Sequence, residues 1–255
     1  MAIVRILAPN PGPFTGPGTN TYAVISQDEC LIVDPGPVIA THERAILSRV
    51  DGLEPRAVLV THSHPDHAPL ANPLASALGV EAIGHAAGPD FEPDRLARDG
   101  DRLRVGTTEV RVIHTPGHAP DHLCFVAGGV LFSGDHIMGG STVVVEDMSA
   151  YLASLQRLRS EALTRILPGH GEEISDPQAT IDEYVAHRLL RERQVLEAVR
   201  EGAESVSAIV ERVYADVDPV MHGLASYSVL AHLRKLDAEG KVRLTESPRL
   251  VVAPY

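Results

Sequence analysis

Residues 61–67 read Thr-His-Ser-His-Pro-Asp-His, so four side chains able to ligate a metal, His62, His64, Asp66 and His67, fall in one short stretch. The stretch follows Arg56–Val60, a brief apolar run with the character of a buried strand. In an extended loop, side chains two apart point the same way, so His62 and His64 can share one cation. Asp66 and His67 continue the loop toward a second. Imidazoles and carboxylates suit zinc and other borderline divalent ions. Three more ligand-type residues stand in loops after apolar runs: His118 in Thr-Pro-Gly-His, Asp135 in Phe-Ser-Gly-Asp and His170 in Leu-Pro-Gly-His. The glycine before each permits a tight turn and close backbone approach. A carboxylate such as Asp135 can bridge two cations about 3.5–4 Å apart, which a single imidazole cannot. The chain has 13 histidines, so some are ordinary surface or packing residues. Fixed spacing and order set these apart.

The elements that must position the loops follow from periodicity. Residues 20–34 read as a hairpin turning at Gln27–Glu29, broken by Pro35-Gly36-Pro37. Helices fit 39–50 and 68–78, a strand fits 80–84, and several strands occupy 102–135, two of them joined at Gly128-Gly129. Asp147 can cap a helix ending at 159, and 164–171 reads as strand and loop. Strands alternating with helices early and clustering as hairpins later imply layered sheets flanked by helices. From Asp176-Pro177 the pattern changes to helices at 177–201, 205–214 and 224–240, then a two-stranded wing over 241–253. That is winged-helix order, and it divides the chain into a domain over 1–176 and a smaller one over 177–255.

Bulk properties narrow the class. Net charge is −12, with 12 Lys and Arg against 22 Asp and Glu in the first 176 residues and 10 against 12 thereafter. An acidic surface disfavours phosphate backbones, although bound cations would make a site locally positive. Apolar residues make up 44%, enough for a core, yet no run is long enough to span a membrane. The N-terminus reads as a first strand and not a signal peptide. Cys30 and Cys124 sit in strand-like runs and read as buried free thiols, which fits a cytoplasmic protein.

The His-x-His-x-Asp-His pattern, with Thr-Pro-Gly-His, Ser-Gly-Asp and Pro-Gly-His following in order, resembles the metallo-β-lactamase superfamily. The resemblance covers about residues 1–175. It implies a mixed α/β fold, an αββα sandwich with a small C-terminal winged-helix-like domain, and metals at one edge. By matching positions it places His62, His64 and His118 on a first metal, Asp66, His67 and His170 on a second, and Asp135 between them. Residues 10–22, 146–155 and 187–196, with the C-terminal segment, further resemble the β-lactamase-like protein 2 subgroup. That subgroup includes a metal-dependent endoribonuclease acting on single-stranded RNA, and related fungal thioesterases release polyketides.

The chemistry expected is hydrolysis by a hydroxide held between two divalent ions, zinc by default, with iron and manganese also accepted by these ligands. Asp66 would orient that nucleophile and take its proton. No Gly-x-Ser-x-Gly is present, and none is needed. An ester, thioester or lactam suits the arginine-poor motif loops, and single-stranded RNA is the alternative. The flavin-partnered di-iron relatives carry Glu where this chain has His64. Mononuclear-iron persulfide oxidation is disfavoured only by analogy, through the C-terminal helices.

Around the ligands, Asp34 is expected to accept an imidazole N–H and fix its tautomer. His122 is a candidate for contact with the site or the substrate. Asn20 and Tyr22, in the stretch from Thr19, and Ser141-Thr142 are candidate pocket walls. His85 and His114 read as packing residues, and His136 as pointing away from the metals. Arg234 and Lys235 invite a DNA-binding reading. Leu230, Leu233 and Leu236 and the lack of net positive charge argue instead for a substrate-gating or dimer-contacting (homodimer) domain.

Overall fold

The hairpin expected over 20–34 forms as two strands, and the rest of a sheet builds outward from it. The computed structural model describes residues 1–140, 143–246 and 250–254, so Ser141 and Thr142 lie outside the described residues. In chain order the elements are β1 (Ala2–Leu7), β2 (Asn20–Ser26), β3 (Glu29–Val33), α1 (Ala40–Val50), β4 (Glu54–Leu59), α2 (Ala71–Leu78), β5 (Glu81–Gly84) and β6 (Arg95–Leu96). There follow β7 (Arg102–Val105), β8 (Thr108–His114), β9 (Leu123–Ala127), β10 (Val130–Gly134), α3 (Met148–Arg159) and β11 (Arg165–Pro168). The chain ends with α4 (Pro177–Arg200), α5 (Val206–Val213), α6 (His222–Ala238), β12 (Val242–Glu246) and β13 (Leu250–Pro254). Contacts group these into two units. One comprises Met1–Pro116, Asp121–Val143 and Glu161–Gln178; the other comprises Gly117–Pro120, Val144–Ser160 and Ala179–Tyr255.

The first unit holds a six-stranded sheet in the order β1-β2-β3-β4-β5-β6 and a five-stranded sheet in the order β11-β10-β9-β8-β7. Alternation explains the faces. Tyr22, Val24, Leu31, Val33, Ala57 and Leu59 turn toward Val112, Phe125, Phe132 and Leu167 of the other sheet. Their neighbours Ala23, Cys30, Ile32 and Val58 pack under Ile46 of α1 and Leu74 of α2. With both faces covered, these strands read as continuous apolar runs, as buried parallel pairs do. Strands β3 and β4 run parallel, as do β10 and β11, so the loops following them leave the sheets at their C-terminal ends.

The largest helix-boundary shift from the sequence expectation is at α2. Helix α2 starts at Ala71 and not at 68, because the amides of His67 and Ala68 close a turn on the His64 carbonyl. The expected cap at Asp147 forms, its carboxylate accepting the Ala150 amide at 3.0 Å. Cys30 and Cys124 are buried and free.

In the second unit α4, α5 and α6 bury Val195, Val199, Ile209, Val210, Val229, Leu233 and Leu236 against Val242 and Val252 of the two-stranded sheet β12-β13. Leu230 is only half-buried. Arg234 is exposed, whereas Lys235 is held by Glu192 at 2.8 Å and Glu239 at 2.6 Å. No described helix is long and apolar enough to cross a membrane.

Candidate metal centre

Each ligand-type residue sits where a strand ends. The Thr61–His67 loop follows β4, Asp135 follows β10 and His170 follows β11. Backbone bonds tie these ends together: the Gly169 amide donates to the Gly134 carbonyl at 2.8 Å, and the Leu123 amide to the Thr61 carbonyl at 2.7 Å. Gly134 (φ +47°) is required there, since a Cβ would come within 2.6 Å of Thr61 Oγ1 and 2.7 Å of His122 Nε2.

Two groups of donor atoms result, each with all its members within 4.8 Å of one another: His62, His64 and His118, and Asp66, His67, Asp135 and His170. In the second group Asp66 Oδ2 lies 3.0 Å from His170 Nε2 and 3.6 Å from His67 Nε2. Asp135 Oδ1 lies 3.3 Å from His67 Nε2 and 3.4 Å from His170 Nε2, and those two nitrogens are 3.2 Å apart. Ligand atoms on a tetrahedron about 2.0–2.2 Å from a cation stand roughly 3.3–3.6 Å apart, so the set fits a divalent ion.

Hydrogen bonding on the far side of each ring says which nitrogen is turned inward. His67 Nδ1 faces Asp34 Oδ2 at 2.9 Å, and His170 Nδ1 faces the Gly18 carbonyl at 3.2 Å. Each Nδ1–H therefore donates outward, and two Nε2 lone pairs meet two carboxylates in the middle. That convergence is repulsive unless a cation or proton occupies it. The field is correspondingly negative. Burial opposes a proton on His67, but Asp135, Asp34 and Asp66 outweigh it and hold the ring well above the ordinary histidine range. Burial likewise opposes His170, whose carboxylate neighbours Asp135 and Asp66 raise it to about 9. Asp135 stays well below the ordinary carboxylate range despite its burial, through His67 and His170. A divalent cation satisfies the same field more fully than protons do.

The other group is held similarly. Thr61 Oγ1 donates to Asp34 Oδ2 at 2.7 Å and faces His62 Nδ1 at 3.0 Å. His62 Nε2 is 2.9 Å from His64 Nδ1. His118 Nδ1 donates to the Val144 carbonyl at 2.7 Å, so a metal held by this ring would be met by its Nε2.

Of the remaining sequence candidates, Asp34 is buried, in left-handed backbone (φ +49°), and accepts the Thr61 amide at 2.7 Å besides the contacts above. His122 is buried too, and its Nε2 accepts the Asp135 amide at 3.2 Å, so it braces the loop from behind. Asn20 and Tyr22 stand at the start of β2. Both are buried, and their polar ends reach the Pro168 carbonyl at 3.0 and 2.8 Å, with Asn20 also donating to the Gly171 carbonyl at 2.9 Å. His85 and His114 stack on each other at 4.1 Å, and the His136 ring lies 5.7 Å from that of His122.

Three supporting residues escape the sequence reading. Thr61 opens the motif itself. Asp121, one position before His122, accepts the Ser63 amide at 2.9 Å and pins the motif loop. His42 faces Thr21 Oγ1 at 2.8 Å, and that hydroxyl donates to the Asp34 carbonyl at 2.7 Å. Its place on α1 gives no sequence signal.

Comparison with known proteins agrees with this geometry. Residues 14–170 match the metallo-beta-lactamase superfamily, and residues 205–249 match the beta-lactamase associated winged helix domain. The beta-lactamase-like protein 2 homolog of Drosophila melanogaster is 34% identical, over 96% of this chain and 91% of its own. An atrochrysone carboxyl ACP thioesterase of Aspergillus chevalieri is 36% identical, over 84% of this chain and 74% of its own. A metallo-beta-lactamase family protein from Thermus thermophilus shares the fold, with a TM-score of 0.83, 22% identity and coverage of 99% and 98%. The chain therefore belongs to the metallo-beta-lactamase superfamily, as a hydrolase that carries the associated winged helix domain in its C-terminal part.

Proposed function

We propose that the chain is a dinuclear metal hydrolase of a small acyl compound, an ester, thioester or lactam. The observation that carries this is the convergence of Asp66, His67, Asp135 and His170, with donor atoms 3.0 to 3.6 Å apart and both imidazole Nδ1 atoms engaged elsewhere. His62, His64 and His118 would hold one metal, Asp66, His67 and His170 the other, and Asp135 would lie between them. Two divalent cations, when bound, supply a water acidic enough to ionise near neutral pH and positive charge for a developing oxyanion. Zinc suits the mixed imidazole and carboxylate set, and iron and manganese are compatible with it.

The protein's own part is orientation and proton handling. Asp34 and Thr61 fix the tautomers of His67 and His62, and the Gly18 and Val144 carbonyls fix those of His170 and His118. Asp66, beside His170 Nε2 at 3.0 Å, would accept the proton of the attacking water. The carbonyl carbon gains that oxygen, the bond to the leaving oxygen, sulfur or nitrogen breaks, and the leaving atom takes up the proton.

Two features favour acyl substrates over single-stranded RNA. Residues 61–67, 115–122, 134–140 and 168–172 contain no lysine or arginine, whereas a phosphate backbone is gripped mainly by such cations. A thioesterase also stands among the relatives. The test is to measure metal per chain and to assay an aryl ester, an acyl thioester, a β-lactam and labelled single-stranded RNA, beside Asp135→Ala. Two metals per chain and acyl cleavage lost in Asp135→Ala are expected, with the RNA intact. RNA cleavage that Asp135→Ala abolishes, without acyl cleavage, would overturn the substrate assignment, and a single metal per chain would overturn the dinuclear one.

A further inference from the structure

The second unit contains the Gly117–Pro120 segment as well as the C-terminal helices. His118 is therefore held by the elements that carry the winged helix. The Gly117 carbonyl accepts two amides from the start of α3, Glu146 at 2.8 Å and Asp147 at 3.0 Å. Gly117 (φ +139°) lies so close to α3 that a Cβ would come within 2.4–2.6 Å of Tyr151 N, Cα and Cβ. The next residue, His118, donates from Nδ1 to the Val144 carbonyl, just before the same helix. Tyr151 is fully buried, and the guanidinium of Arg188, on α4, lies over its ring at 5.3 Å from the centroid. Arg188 is itself only 3% exposed, and its stacking over the Tyr151 ring offsets part of the cost of burying the charge.

We propose that Arg188 is a positioning residue for His118. Through the Tyr151 ring it fixes α3, and α3 fixes the Gly117 carbonyl and the Val144 carbonyl that aim the imidazole. Arg188 on α4 would thus set the aim of the His118 ring from within the same unit. This inference rests on His118 being a metal ligand.

The experiment compares Arg188→Met, Arg188→Lys, Tyr151→Leu and His118→Ala in the full chain. Zinc affinity is read by competition with a chromophoric chelator, and amide hydrogen exchange is read on metal-free protein. The binding step lost in His118→Ala identifies the zinc that His118 holds. Arg188→Met and Tyr151→Leu should each weaken that step at least tenfold and leave the other within twofold, with Arg188→Lys recovering most of the loss. In the same two variants the Glu146 and Asp147 amides should exchange at least tenfold faster, while amides of β4 and β10 do not change. Exchange and affinity both unchanged in Arg188→Met would overturn the inference while leaving the metal reading intact. No zinc step altered in His118→Ala would instead overturn the ligand assignment beneath it. Should Arg188→Met not fold, Tyr151→Leu carries the same two outcomes.

Discussion

Oδ2 of Asp34 lies 2.9 Å from Nδ1 of His67, and the same oxygen accepts the Thr61 hydroxyl that faces His62 Nδ1. One carboxylate thus orients an imidazole in each donor group, directly in one and through a hydroxyl in the other. Neither ring can turn without breaking a buried hydrogen bond. The arrangement explains why a non-glycine residue is kept in left-handed backbone at the end of β3.

Replacing Asp34 by Asn tests that role with little steric change, since Asn tolerates left-handed backbone. Zinc affinity should fall by about 10–100-fold, the range for orienting partners of metal ligands, with the fold retained. Asp34→Ala should add a stability loss of about 1–3 kcal/mol, because it leaves the Thr61 amide and hydroxyl buried and unmet. Chelator competition and thermal unfolding measure the two effects. Parent-like zinc affinity in Asp34→Asn would mean that the carboxylate does not orient the ligands.

Gly169 tests how closely the backbone must approach the site. A Cβ there would stand 2.6 Å from His67 Cε1 and 2.7 Å from Asp135 Oδ1, yet the backbone at Gly169 is not in the left-handed region. Gly169→Ala should therefore fold, as circular dichroism will show, but hold metal at least tenfold more weakly in its Asp135 group. Unchanged affinity would show that the loop shifts freely, contrary to its bonds at Gly134 and Asn20.

The two groups of donor residues were legible because they lie in short contiguous motifs, and a glycine beside a ligand-type residue is itself a geometric statement. The hairpin and the strand faces were legible because alternation at period two is local. What escaped is non-local. Nothing near Asn20 or Tyr22 in sequence says that they will meet Pro168, and the contact exists only once β2 and β11 lie in facing sheets. His42 sits on an amphipathic helix, where a buried polar residue looks like any other inward position. The winged helix was legible as an order of helices. The tie between Gly117 and α3 was not, since it joins two loops that each looked like connections.

Tyr22 reaches across from β2 to the carbonyl that ends β11. If its hydroxyl serves the Pro168 carbonyl and not a substrate, Tyr22→Phe should cost about 0.5–1.5 kcal/mol of stability, the net worth of one hydrogen bond. It should lower kcat through the His170 loop while KM stays within twofold. Steady-state kinetics on the best acyl substrate decides the matter. A raised KM at unchanged kcat would place Tyr22 on the substrate wall.

Glu192 gives the winged-helix part a pH dependence whose sign is fixed. Its carboxylate is largely buried, with Lys235 Nζ 3.0 Å from Oε1 and 2.8 Å from Oε2, and His232 Nδ1 3.8 Å from Oε2. Burial opposes the charge, but His232 and Lys235 outweigh it and hold the group at about 2, below its ordinary 4.5. A carboxylate depressed on folding stabilises fully above its unfolded value and loses that contribution as pH falls from about 4.5 toward 2. His232 acts in the same direction, since burial lowers its pKa below the ordinary 6.5 and it is stabilising while neutral. Glu192→Gln should therefore be less stable than the parent at pH 7, and the gap should narrow steadily between about pH 4.5 and 2 as the parent protonates. Urea unfolding followed by circular dichroism across that range gives both curves. Parallel curves below pH 4.5 would show that Glu192 titrates no differently when folded, and the pairing with Lys235 would then contribute nothing to holding α4 against α6.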